Sequence, residues 1–396
     1  MKKTLITSVI GTLFAGSAYA QSSVTLYGIV DVGITYTSNV GGSHQVALTS
    51  GGETGSRWGL TGVEDLGNRL KTIFTLENGF SATTGALKQG GSLFGRQAFV
   101  GISSDQYGTV TFGRQNDASY STMTGYLRLS AGGTWASSGT ADGTHAVDVD
   151  NLDGINIISN AVKYQSPNFG GLIFSGMYSL GGVAGNFTRN NIYDVAVGYD
   201  NGLLKMGASY FFAKDPNFSF WGGKPSDSLT GSNIPYVTVA GYASAESEQI
   251  AVVGGGYTLG PAIVSLLYSN VKFGGLGSIT GVTTGAAAQY RGSASFNTGE
   301  INVTYQVNPA LLLGAAYSQT RDSGANNSEG AKYQQMNLGA IYSVSKRTSL
   351  YATAAYQKAS GTNSLGKSAV ADLTSGTAPS GNDHELSVIM GIRHKF

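Results

Sequence analysis

Residues 387–396 read Ser-Val-Ile-Met-Gly-Ile-Arg-His-Lys-Phe. On a repeat of two, Val388, Met390, Ile392, His394 and Phe396 share one face, and Ser387, Ile389, Gly391, Arg393 and Lys395 share the other. An alternating strand that stops on an aromatic is expected to close a sheet rather than run on into a turn. The same alternation recurs from end to end of the chain. That is the demand of a closed transmembrane β-barrel: lipid cannot satisfy a free sheet edge, so the first and last strands must pair.

Met1-Lys2-Lys3 is a positive n-region, Thr4 to Gly16 is mostly apolar, and Ala18-Tyr19-Ala20 has the small-x-small form of a cleavage site. The expectation is a signal peptide over 1–20, a mature chain starting at Gln21, and one barrel domain over 21–396. No stretch reaches the roughly 20 apolar positions of a spanning helix. Gly is high at 59 and Tyr at 22, which suits tight turns and interfacial aromatic belts, while Pro at 7 leaves long hydrogen-bonded ladders uninterrupted. With Cys at 0, disulfide and thiol chemistry are excluded. The formal charge of +1 becomes −1 once Lys2 and Lys3 are removed, so no global field points to a nucleic-acid partner.

The repeating unit is a strand, a short turn, a strand and a longer connection. The alternation predicts strands over 24–36, 56–64, 69–80, 94–103, 108–116, 161–166, 172–179, 192–199, 203–214, 249–259, 262–273, 295–307, 311–320, 333–344, 349–358 and 384–396. That makes sixteen, the even number of a closed antiparallel barrel. Turn chemistry such as Asn201-Gly202, Gly260-Pro261 and Asn308-Pro309 marks one rim. Long connections fall on the other rim: 37–55, 81–93, 117–160, 180–191, 215–248, 274–294, 321–332 and 359–383.

Several segments, in order, resemble the Gram-negative general diffusion porins. They are Val24-Thr25-Leu26-Tyr27-Gly28, Ser56-Arg57-Trp58-Gly59-Leu60, Leu76-Glu77-Asn78-Gly79-Phe80 and Gly95-Arg96-Gln97-Ala98-Phe99-Val100-Gly101. Gly108-Thr109-Val110-Thr111-Phe112-Gly113-Arg114-Gln115, Tyr164-Gln165-Ser166-Pro167-Asn168-Phe169-Gly170-Gly171 and the closing Gly391-Ile392-Arg393-His394-Lys395-Phe396 complete the set. The resemblance implies a sixteen-stranded outer-membrane barrel, a homotrimer among lipid and lipopolysaccharide, and a third loop (here 117–160) folded into the lumen. It also implies that the barrel-insertion machinery recognises Phe396.

A pore selects by diameter and by the charges at its narrowest ring. If Trp58, Leu60, Leu70, Phe74, Leu76, Phe99, Val162 and Tyr164 face outward, then Arg57, Lys71, Glu77, Arg96 and Lys163 face inward. The resemblance places Arg57 and Arg96 in a basic ladder at the constriction, with Glu77 beside it. Opposite them the inserted loop offers Asp142, Asp148, Asp150 and Asp153. Ile157-Ile158 stands where many relatives carry a further arginine, and parity turns Arg114 outward.

Other signals fail on their own chemistry. Asp148–Gly154 resembles a calcium loop; Leu152 and the missing terminal Glu break the EF-hand template, which leaves open a looser calcium site built on the loop carboxylates alone. Gly254-Gly255-Gly256 lies inside a strand and opens no helix, so it is no phosphate cradle. His44, His145, His384 and His394 form no catalytic or metal spacing. The expectation is therefore a water-filled channel for passive diffusion of ions and small hydrophilic solutes, with no enzyme activity, cofactor or metal. The alternative is a barrel acting as a substrate-specific channel or a surface recognition or adhesion protein.

Overall fold

The computed structural model describes residues 23–136, 141–374 and 377–396. The expected signal peptide and its cleavage after Ala20 lie outside the described residues. Strands β1 (Ser23–Val40), β2 (Ser43–Ser50), β3 (Arg57–Gly67), β4 (Leu70–Gly79), β5 (Gln97–Ser104) and β6 (Gly108–Gln115) come first. They are followed by β7 (Ile158–Gln165), β8 (Leu172–Ser179), β9 (Ile192–Asp200), β10 (Leu204–Lys214), β11 (Ser247–Leu259) and β12 (Ala262–Leu276). The last are β13 (Gly292–Asn308), β14 (Leu311–Asp322), β15 (Ala331–Ser343), β16 (Thr348–Gly361) and β17 (His384–Lys395). Among the described residues no helix is long and apolar enough to cross a membrane; the crossing elements are strands.

The barrel has sixteen antiparallel staves, because β2 and β3 are two halves of one. The upper half of β1 pairs with β2 (Val32 opposite Ser50) and its lower half with β3 (Ser23 opposite Val63). Between the halves, residues 51–56 leave the wall. This corrects the reading of 37–55 as a loop: Val46 and Leu48 alternate on the outer face as strand residues. The seam closes where β1 pairs with β17 (Ile29 opposite Lys395) and where Phe396 and Gly28 exchange backbone hydrogen bonds of 3.0 and 3.1 Å. A Cβ on Gly28 would lie 2.3 Å from Phe396 Cζ, so the terminal ring rests on a glycine.

Val24, Leu26, Ile34, Val100, Ile102, Val195, Leu266, Met336 and Met390 are exposed on the outer face. Such a band suits lipid, where a basic residue at the midplane costs roughly 2–4 kcal/mol. The inner face is polar, yet Asp31, Asp194 and Glu300 are buried, because other parts of the chain fill the lumen beside them.

The described residues of the segment between β6 and β7, 116–136 and 141–157, fill much of the lumen. A π-helical turn (Tyr120–Tyr126) carries it inward from β6, and it returns to the wall at β7. Ser119 donates from its backbone N and its hydroxyl to Asp194 on β9 at 2.8 and 2.6 Å. Asn302 on β13 donates to Leu129 O at 2.7 Å, and Ala131 N donates to Glu300 at 3.0 Å. Ser318 on β14 and Gln335 on β15 donate to the carbonyls of Thr144 and Gly143. Staves β9, β10, β12, β13, β14 and β15 thus all hold points of the segment.

Glycines make room for it. Gly198, Gly207 and Gly254 are cross-strand neighbours on the inner face of β9, β10 and β11. A Cβ on Gly207 would lie 2.4 Å from Leu127 Cδ1. Leu129 lies over Gly254 and Gly256, and Trp135 covers the Gly314–Gly339 pair of β14 and β15. The glycine run at 254–256 therefore has a packing purpose.

Candidate functional site: the narrow zone of the lumen

The free side of the lumen is walled by β1 and β3–β5. Glu77, on β4, gathers three partners there. Arg96 Nε donates to Oε1 at 2.7 Å, Tyr27 OH donates to Oε2 at 2.9 Å, and Arg57 Nη1 lies 3.9 Å from Oε1. Arg57 Nε also donates to Gly55 O at 2.9 Å, so the 51–56 excursion aims its guanidinium. Glu77 works as a strut between two arginines, each about a fifth exposed (20% and 19%) to the lumen.

The excursion itself hangs on Asp31, which accepts from the backbone N of Gly52, Glu53 and Thr54 at 3.0, 3.0 and 2.8 Å and from Tyr351 OH at 2.6 Å. Glu53 at its tip meets Arg393 Nη1 at 2.5 Å.

Arg57 and Arg96 face a cavity of about 370 Å³ whose other lining includes Lys88, Tyr120, Asp142 and Asp153. Of the expected acidic set, then, Asp142 and Asp153 line the same cavity as the two arginines. Asp142 accepts from Tyr236 OH at 2.8 Å, so the 215–246 connection also braces it. Asp148 and Asp150 do not reach this cavity. Asp148 accepts from the backbone N of Asp153 and Ile155 at 2.9 and 3.2 Å. Asp150 accepts from Ser269 and lies 2.6 Å from His145 Nδ1. These two carboxylates are staples of the inserted segment, which also spends the donor set of the apparent calcium loop.

Electrostatics tilts the zone toward positive charge. Burial pushes the Asp153 carboxyl well above the usual carboxylate range, and His145 does not offset it. Burial, then the neighbouring Asp153 and Asp150, does the same to Asp148. Their charged forms are disfavoured. Burial also lowers Lys88, opposed by Asp142. Arg57 and Arg96, by contrast, carry a charge that guanidinium keeps at working pH.

Lys71 and Lys163 stand apart from the wall. Lys71 lies six residues along β4 from Glu77, roughly 20 Å away at about 3.3 Å per residue. Lys163 faces inward as expected, but its Nζ donates to Asn116 O at 2.8 Å and Ser121 Oγ at 3.2 Å, tying down the base of the inserted segment. Arg114 turns outward as parity requires, donating to Gly95 O and Ser159 Oγ at 2.7 and 2.6 Å.

The reasoning for Arg96 needs correction. Phe99 pairs with Thr75 and stands on the lumen face, while Val100 and Ile102 meet the outside. By strand parity Arg96 would point to lipid. It precedes β5, and its backbone N bonds Glu77 O at 3.2 Å, which swings the side chain in.

A profile of the Gram-negative porins matches residues 7–362. The chain belongs to the Gram-negative porin family. An outer membrane porin protein of Bordetella pertussis is 31% identical over 90% of this chain and 94% of its own. Outer membrane porin protein 32 of Delftia acidovorans is 29% identical over the whole of both chains. Among solved structures, an anion-selective porin from Comamonas acidovorans superposes with a TM-score of 0.70 at 24% identity, covering 95% of this chain and all of that one. The protein is an outer-membrane porin, and its lumen is a channel for small solutes.

Sequence reasoning missed Lys88, Tyr27, Tyr120 and the Asp31 hub. Asp31 had a readable signal: an acid at an inward position in a strand needs donors, and the glycine-rich stretch at 51–55 can turn its backbone N–H groups toward one.

Proposed function

We propose that this porin is a passive diffusion channel whose filter is the gap between the Arg57–Arg96–Lys88 wall and Asp142 and Asp153 of the inserted segment, with a preference for anions. The observation that carries it is the pair of arginines held by Glu77 and facing a loop whose second acid is disfavoured as a charge. Exposed charges are screened beyond roughly 8–10 Å at physiological salt, so only the narrowest ring should count. The structural neighbour described as an anion-selective porin is in keeping with this sign. Passage by diffusion needs no catalytic step, cofactor or metal. Lys71 and Lys163 are outside the filter in this reading, as are Asp148 and Asp150.

We further propose a homotrimer in contact with lipopolysaccharide, delivered by a cleaved signal peptide and inserted by the barrel-assembly machinery. Exposed Val24, Leu26 and Phe396 near the seam offer apolar surface for subunit packing. Unheated gel electrophoresis or native mass spectrometry should give a trimer; monomer alone overturns that part. For the filter, reversal potentials in a salt gradient should move toward cations in the Arg57→Ser/Arg96→Ser double variant, most at low salt. An unchanged reversal potential would place the filter elsewhere.

A further inference from the structure

Below the narrow zone, on the side of the short turns, lies a second cavity of about 580 Å³. Its position follows from its lining, which includes Pro309 and Ala310 of the β13–β14 turn. The volume is within the roughly 300–1,000 Å³ of small-molecule sites. Glu53 borders both cavities, so a solute leaving the filter enters this one.

Its charge is unbalanced. Arg128, Lys205, Arg393 and Lys395 line it against the single carboxylate of Glu53. Glu53 is spent on Arg393, and Lys205 lies 3.5 Å from Asp200. Arg128 and Lys395 have no carboxylate within ion-pair distance among the described residues, and both are exposed to the lumen. Arg128 is also held at φ +57°, a left-handed backbone that is strained for a non-glycine residue. The turn that ends the π-helical segment thus spends strain at this position.

The floor is apolar and carries buried donors. Trp135 is 3% exposed, and its Nε1 has no acceptor among the described residues. Arg393 Nε is likewise buried without one. Leu312 and Ile341 complete the apolar surface beside the indole.

We propose that this vestibule binds small organic anions with an apolar or aromatic body. Arg128 and Lys395 take the carboxylate, and the half-buried Ile263 and Leu312, beside the edge of Trp135, take the body. The proposal rests on the lumen being the conducting path and adds a solute class to it. A carboxylate between two unpaired cations gains charge-assisted hydrogen bonds. This apolar lining then separates an aromatic carboxylate from acetate or chloride, which offer no comparable area to bury.

The test is block of chloride current through the intact protein in a planar bilayer, with benzoate added from the short-turn side. Acetate and neutral benzyl alcohol are the controls. Benzoate should block at a concentration well below acetate, and benzyl alcohol should not block. Arg128→Asn/Lys395→Gln should raise the half-blocking benzoate concentration roughly tenfold. Asn tolerates the left-handed backbone at 128, so the fold is preserved. Heat-modifiable gel mobility confirms folding of the variant. Equal block by acetate and benzoate, or an unchanged half-blocking concentration in the variant, overturns the vestibule site. A wild-type protein with no ion conductance fails the channel reading instead, so the two failures are told apart.

Discussion

The indole of Trp135 occupies the space that a side chain on Gly314 would need: a Cβ there would lie 2.5 Å from Trp135 Cδ2. Gly339, paired with Gly314 across β14 and β15, meets the same ring at 2.7 Å. The ring and the two glycines fix how deeply the inserted segment sits in the lumen.

Gly314→Ala should therefore push Trp135 inward. Overpacking of a close-fitted contact costs about 1–3 kcal/mol. A lower temperature of heat-modifiability and a changed single-channel conductance are expected. Wild-type values for both would show that the ring adapts freely.

His145 should act as a pH-dependent fastener. Its Nδ1 lies 2.6 Å from Asp150 and its Nε2 lies 3.1 Å from Glu300. Asp153 is the other carboxyl of the segment that its charge reaches. Burial alone would lower the imidazole, but Asp150 and Glu300 overcome it and hold it well above its ordinary value. A raised cation contributes its full stability below its ordinary value of about 6.5, and loses it as pH climbs through the raised one. Asp150 is lowered against its burial by His145, so its share is lost only as pH falls through the lowered value. Open-channel current should stay quiet through mildly acidic and neutral pH and grow noisier on the alkaline side. His145→Gln strands two buried carboxylates, at a cost of about 3–5 kcal/mol, and should be noisy at neutral pH. A quiet variant channel would refute the role.

Deleting Phe396 should lower the amount of folded protein in the outer membrane. The loss removes the backbone pair with Gly28 and the ring that covers it. Fractionation of membrane and periplasmic pools is the measurement. Equal folded yields would exclude an assembly role.

The mature protein should begin at Gln21, read by intact mass. A chain that keeps Lys2 and Lys3 contradicts cleavage.

The strands were legible because a half-lipid, half-water wall imposes a strict two-residue alternation; 172–179 matches β8 end for end. The stave broken into β2 and β3 was not, although Val46 and Leu48 already alternate, because glycines at 51, 52 and 55 read as loop. Arg57 was placed correctly by parity. Arg96 was placed correctly on a wrong assignment of Phe99, because a residue just outside a strand is steered by local hydrogen bonds and not by the pleat. Counting loop acids also misled. Asp148 and Asp150 are consumed inside the segment, and only a folded path across the lumen reveals which carboxylates look at the gap.

That path makes the inserted segment a chord fastened to staves on the far side of a ring. A free β-cylinder can breathe by becoming elliptical. Here any ovalisation must stretch bonds to Asp194, Glu300, Ser318 and Gln335 together. Aperture and circumference become one mechanical variable, so membrane tension or lateral pressure is resisted by the same bonds that set the gap. The pore then has one open width instead of a range of them.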